Sequence, residues 1–365
     1  MSASNNRSKY DDEVTELLRH LSDDRERDRS YAAERLKIKA KKGDERVVSA
    51  LLPLLSDDDW RERSRAAGLL GSVAEEGDEK VISGLLPLLS DDQWVVRRSA
   101  AKSFGSLAMK GDERVISALL PLLSHDNPDV RSIASGLLER VTEKGDESVI
   151  SALLPLLSDD DWDVQWTAAE LLRSVAEKGD KRVVSALLAL LSHDNKNVRY
   201  LAVGLLGSVA EKGDQRVVPA LLPLLSDDDE NVRSDAAKSL GSVAEKGDER
   251  VISALLPLLS HDDDDDDDDD DFLGIVRNEV INSLAKVAKK GDERVVSALL
   301  PLLSDDILQE SAAKALKSLQ APSSVSTEYT QLSIQSKMEL FQHAIKTNNA
   351  ALVTALAPHV IDDHQ

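Results

Sequence analysis

Apolar positions along this chain fall into two kinds of block that alternate. Residues 43–58, GDERVVSALLPLLSDD, show the first kind. Val47, Val48, Leu51, Leu52, Leu54 and Leu55 recur there at helical spacing and predict one broad buried face. Gly43 stands where a preceding helix would end in the left-handed conformation, and Asp44 where a side chain caps the next helix. Pro53 lacks an N–H and crowds the preceding turn, so the helix is expected to bend or stop near it. The second kind of block follows the SDD turn. Asp59 is its candidate cap, and Glu62, three residues on, makes a capping-box variant. Ala66, Leu69, Leu70 and Val73 then lie along one side. Together the two blocks predict a helical hairpin.

The hairpin repeats. Its Gly-Asp pair returns at Gly77, Gly111, Gly145, Gly179, Gly213 and Gly247, each 34 residues after the last, and at Gly291 after 44. Ten consecutive aspartates, Asp262–Asp271, account for the longer interval. A fixed period of this size marks a solenoid, because one hairpin cannot bury its apolar faces until neighbours stack on it. The expected fold class is therefore all-α, a superhelical solenoid of about nine hairpins starting at residues 9, 43, 77, 111, 145, 179, 213, 247 and 291. Residues 1–8 are expected to be disordered. Beyond the array (9–320), a Pro- and Ser-containing linker is expected over 321–332 and a short helical C-terminal cap over 333–365.

The string LLPLLSD, followed by VR, AA and LG, resembles the HEAT-repeat superfamily, and within it the short bilin-lyase-like repeats. That resemblance implies a superhelix whose second helices line the concave face. It also implies a ladder of turn aspartates and second-helix arginines between repeats, here Asp57 and Arg63, Asp91 and Arg97, Asp227 and Arg233. His125, His193 and His261 replace the aspartate and Gln165 replaces the arginine, so the ladder is expected to be interrupted there.

Composition narrows the function. Hydrophobic residues make up 41% of the chain but aromatics only 3%, which leaves a core of Leu, Val and Ala. No apolar run is long enough for a membrane span, and the polar start MSASNNRSKYDD lacks the apolar stretch of a signal peptide. An intracellular, cytoplasmic monomer is expected. The net charge of −22 repels phosphate backbones, so nucleic acid is not expected as a partner, whereas a protein or peptide with a basic segment suits the field.

Candidate chemistry is sparse. The aspartate run reads as a solvated expansion of an exposed turn, as a contact for a basic segment through Asp262, Asp266 and Asp271, or as a calcium site without a defined loop. The SHD sequences at His125, His193 and His261 are 68 residues apart, two layers or roughly 20 Å, too far to share one metal. They read as turn caps. There is no cysteine, no glycine-rich phosphate loop and no His-Glu dipeptide of the kind that holds di-iron in the HEAT-like hydroxylase of hypusine synthesis. No cofactor is expected. Trp60, Trp94 and Trp162 share the first helical position after the turn, where they cover the hairpin end or meet a ligand.

Variation between copies carries more. One outward column of the second helix reads Ser64, Arg98, Ser132, Trp166, Tyr200 and Ser234; the next reads Arg65, Ser99, Ile133, Thr167, Leu201 and Asp235. Ile133, Trp166, Tyr200 and Leu201 form a candidate partner-binding patch, flanked by Glu170 and Arg173, unless they pack beneath a neighbouring repeat. The expected function is a non-enzymatic scaffold or adaptor that binds a protein or peptide on its concave face. The alternative is a lyase-like or protein-modifying member of the same superfamily.

Overall fold

A computed structural model of the chain describes residues 2–21, 25–259, 270–305 and 307–319, with side chains for all of these except 2–8, 270–273 and 304. The 321–332 linker, the 333–365 cap, His261 and Asp262–Asp269 lie outside the described residues. Helices account for the regular structure. They form two compact units, Met1–Val175 and Ala176–Gln365.

The first unit contains five hairpins. Ser2–His20 pairs with Glu26–Lys39, and Glu45–Leu51 with Trp60–Val73. Glu79–Leu85 then pairs with Trp94–Leu107, Glu113–Leu119 with Pro128–Val141, and Glu147–Leu156 with Trp162–Val175. The N-terminal helix starts at Ser2, not beyond residue 8 as the polar composition suggested. No Gly or Pro interrupts residues 2–20, so a helix anchored by buried Val14 and Leu17 propagates outward at little cost. In the second unit Lys181–Leu190 pairs with Lys196–Val209, Val217–Leu221 with Glu230–Val243, Glu249–Leu255 with Asp270–Val287, and Glu293–Leu299 with Gln309–Leu319.

Each joint follows from the residues at it. Gly43, Gly77, Gly111 and Gly145 all sit at φ of 78–80°, the region that favours glycine. The next residue caps the helix: Asp44, Asp78, Asp112 and Asp146 accept from backbone N–H groups of the first turn. The first helix tightens into a 3-10 turn at the proline in most repeats, as over Leu52–Ser56, because the ring removes an N–H and crowds the preceding turn. The helix Glu147–Leu156 nevertheless stays α-helical through Pro155. Where Ala189 replaces the proline the α-helix runs to Leu190. Val47, Val48, Leu51 and Leu55 from the first helix and Ala66, Leu69, Leu70 and Val73 from the second form the buried layer.

The glycines also tie the start of each hairpin to its end, which their turn role did not reveal. The Gly43 N–H donates to the Val73 carbonyl at 2.7 Å, Gly77 to Leu107 at 2.7 Å, Gly111 to Val141 at 2.6 Å and Gly145 to Val175 at 2.8 Å. Each bond satisfies a carbonyl at the open end of the second helix in the hairpin that the glycine begins. The second unit repeats the pattern from Gly179 to Val209 and from Gly213 to Val243.

The arginine ladder is present but runs forward. Arg63 donates to both carboxylate oxygens of Asp91, in the next repeat, at 2.7 and 3.0 Å, and to the Asp57 carbonyl of its own turn. Arg199 holds Asp227 in the same way. His125 does not interrupt the ladder: Arg97 reaches past it to Asp129 at 2.5 Å, and Arg131 reaches Asp163 at 2.9 Å. The imidazole takes over the turn instead, its Nδ1 accepting from the Asn127 N–H as Asp57 accepts from Asp59. Gln165 keeps only the bond to its own turn, at the Asp159 carbonyl, and its buried Oε1 has no partner. Glu62 makes no capping box. It is buried against Arg29 of the preceding repeat at 2.6 Å and against Arg65, in the place where other copies carry valine.

Candidate interaction surface

The second helices of the first unit differ in how closely they approach, and two columns decide it. Gly71 faces Ser103 so closely that a Cβ on the glycine would lie 2.2 Å from the serine Oγ and 2.8 Å from its Cα. Small residues on both helices allow this. One repeat further on the facing pair is Gly105 and Leu137, and the leucine side chain holds the helices Trp94–Leu107 and Pro128–Val141 apart. A groove of about 510 Å³ opens there. Ala101, Gly105, Ser132, Ile133, Gly136 and Leu137 line it, with Lys102 and Arg140 at its rim. The bridging bond adapts to the gap. Ser106 donates to the Gly71 carbonyl across the close pair, and the longer Arg140, in the same column, donates to the Gly105 carbonyl at 2.7 Å.

The following helix, Trp162–Val175, turns two indoles outward. Trp166 is 41% exposed and Trp162 38%, and their ring centroids lie 5.8 Å apart with planes inclined by 43°. Glu170 and Arg173 form an ion pair at 2.5 Å on the next turns of the same helix. Trp94 is 56% exposed and therefore does not seal its hairpin end. Guanidinium groups lie against the other two tryptophans: Arg61 is 4.7 Å from the Trp60 ring centroid and Arg98 is 5.9 Å from that of Trp94.

The sequence-derived patch divides. Ile133 is half-buried in the groove, and Trp166 with Glu170 and Arg173 is on the outward side of its helix within the same unit. Leu201 does not belong to an exposed patch, being 3% exposed. Its column faces the preceding repeat, as the bonds from Arg65 to Ser30 and between Ser64 and Ser99 show, so an apolar side chain there packs inward. Tyr200 is half-buried in the second unit. Asp262 and Asp266 lie outside the described residues, and Asp271 is the second residue of the helix Asp270–Val287. The groove has only a faint signal in the sequence, the replacement of leucine by serine at Ser103 and Ser239 in a column that otherwise reads Leu69, Leu137, Leu171 and Leu205.

An all-α array of stacked helical hairpins with this ladder defines a helical-repeat solenoid. The profile of HEAT repeats matches residues 12–105, 82–173, 116–196 and 184–270, and the chain belongs to the HEAT-repeat family. Solved structures give the same fold. Kap95p, in a complex where its binding induces the switch loops of RanGDP to adopt the GTP-bound conformation, aligns over 95% of this chain at 13% identity and TM-score 0.65. Importin beta aligns over 97% at 14% identity and TM-score 0.62. The chain spans about half of each, 51% and 53% of their lengths. An engineered protein covers 96% of the chain, and is itself covered over 98%, at 20% identity and TM-score 0.44. No curated protein sequence matches. Among the described residues no helix is long and apolar enough to cross a membrane.

Proposed function

We propose that this chain is a non-enzymatic scaffold that holds a protein or peptide on the outward face of the helices Trp94–Leu107, Pro128–Val141 and Trp162–Val175. The observation that carries the reading is the pairing of a leucine-propped groove at Ile133 with exposed indoles at Trp166 and Trp162 on the next helix. Aromatic anchors beside a groove, rimmed by Lys102, Arg140, Glu170 and Arg173, have the make-up of a protein contact with an apolar centre and a charged edge. The fold supports it by analogy, since Kap95p binds RanGDP. The acidic field favours a partner carrying basic residues.

Photo-crosslinking tests the site. Benzoylphenylalanine placed at exposed Ser132, on the groove wall, should trap a partner protein, whereas the same probe at exposed Glu113, on a first helix, should not. Equal trapping at both positions would remove the reason for assigning this face. An absorbance spectrum and metal analysis of the purified protein address the lyase or modification alternative, which stoichiometric pigment or iron would establish.

A further inference from the structure

The scaffold reading leaves the chemistry of the partner open, and the surroundings of Trp162 and Trp166 narrow it. Two tryptophans of the first unit already display what their faces accept. Arg61 lies over Trp60, and Arg98, four residues after Trp94, lies beside that ring. The attraction is electrostatic, between a cation and the negative face of an indole, and it is stronger where water is excluded. In the repeat that begins at Gly145 the same two positions carry Trp162 and Trp166, so the place of Arg98 is taken by a second indole. Two partly exposed rings with planes 43° apart make a shallow aromatic corner.

Charge supports the same conclusion. Asp160 is exposed, and the side chains of Asp161 and Asp163 are 50% and 65% exposed, all within three residues of Trp162. Arg131 bonds Asp163 from a buried position and leaves most of that carboxylate facing solvent. The helix also begins here, with Asp161 accepting from the Asp163 N–H, so that carboxylate is partly committed to capping. Asp160 and the outer oxygen of Asp163 are the groups best placed to meet an incoming cation. Upstream, Asp92 precedes Trp94 and Asp58 precedes Trp60 by the same two residues, both exposed. An Asp-x-Trp step thus recurs in three repeats of one unit, with Asp126 and Pro128 between the second and third.

We propose that the Trp162–Trp166 corner binds an arginine or lysine side chain of an extended protein segment, the cation stacking on the indoles with Asp160 and Asp163 beside it. Repeats are spaced by about 10 Å, the helix-packing distance, and three residues of extended chain span about the same length. A segment with a basic residue at every third position therefore matches the exposed turn carboxylates Asp92, Asp126 and Asp160, with Trp162 and Trp166 as its strongest point, since Arg61 and Arg98 already lie against Trp60 and Trp94. This inference rests on the scaffold reading and specifies its partner.

A twelve-residue Gly-Arg-Ser repeat peptide titrated into the full chain, followed by tryptophan fluorescence and calorimetry, tests the proposal against a Gly-Glu-Ser control. Trp166→Ala and Trp162→Ala should each weaken binding of the arginine peptide at least tenfold. Trp166→Phe, which keeps a ring with a weaker face, should fall between Ala and wild type, and circular dichroism checks that each variant is folded. Asp160→Asn should weaken binding severalfold. Binding of the arginine peptide unchanged by Trp166→Ala and abolished by salt would show bulk charge alone and overturn the proposal. If the glutamate peptide bound equally well and lost affinity with Trp166→Ala, the surface would stand as a docking site and its cation chemistry would not. Should neither peptide bind, the cation site fails, while the crosslinking at Ser132 still decides the scaffold reading separately.

Discussion

Arg63 and Asp91 show what one residue pair contributes to an array of this kind. The arginine closes its own turn through the Asp57 carbonyl and grips the carboxylate of the next turn with two nitrogens. Burial disfavours the charge on Asp91, but the Arg63 bonds, the Gln93 N–H and the nearby Arg97 outweigh it and hold the carboxyl below its usual range. A carboxyl lowered in the folded state contributes stability that is complete above its unfolded value and is lost as pH falls through the folded one. Asp91→Asn should therefore destabilise the protein by about 1–3 kcal/mol at pH 7 in urea unfolding. The gap between wild type and variant should close as pH drops below about 4. A gap that stayed constant from neutral pH to well below that point would remove the ion pair as its source. The pairing types were legible in the sequence, since Asp and Arg recur in register. Their direction was not, because residue spacing alone does not say whether Arg63 turns back to Asp57 or forward to Asp91. Leu201 failed for a related reason: adjacent columns on one helix differ by about 100° of rotation, and only the packed neighbour decides which is covered.

Between whole elements the deciding variable is the distance between second helices, and glycines on them meet opposite surroundings. Gly71 has no room for a side chain, because Ser103 backbone lies within 2.8 Å of any Cβ placed there. Gly136, exposed on the groove wall, has nothing within 4 Å. Gly71→Ala should force the helices apart and cost about 1–3 kcal/mol, the usual penalty of overpacking. Gly136→Ala should stabilise by about 0.5–1 kcal/mol, since it only removes backbone freedom from the unfolded chain. Thermal unfolding of the two variants side by side reads both signs, and a Gly71→Ala protein as stable as wild type would contradict the close approach. The helices, caps and turns of each hairpin were legible because they depend on local chemistry: Gly43 and Asp44, Pro53, Asp59. Helix separation depends on pairs such as Ser103 with Gly71 and Leu137 with Gly105, 32 residues apart, so it emerges only when repeats are set against one another.

At the scale of the molecule the period of 34 residues dictates a solenoid, and it accounts for most of what the chain is. On the proposed scaffold reading, function is carried by departures from the period. Trp60, Trp94, Trp162 and Trp166 all belong to the first unit, and so does the groove at Ile133. The second unit has Lys196 and Glu230 in the column of Trp60, Trp94 and Trp162. A scaffold that engages its partner through these departures should lose binding, and not folding, when one of them is removed. The most direct measurement is quantitative affinity capture with the full chain, comparing wild type, Trp166→Ala and the surface control Glu113→Ala, with unfolding curves for each. The account expects a stoichiometric partner retained by wild type and by Glu113→Ala, reduced at least tenfold by Trp166→Ala, and the same unfolding midpoint for all three. A stoichiometric partner held equally by Trp166→Ala would contradict the account, as would a variant that lost the partner only because it had unfolded.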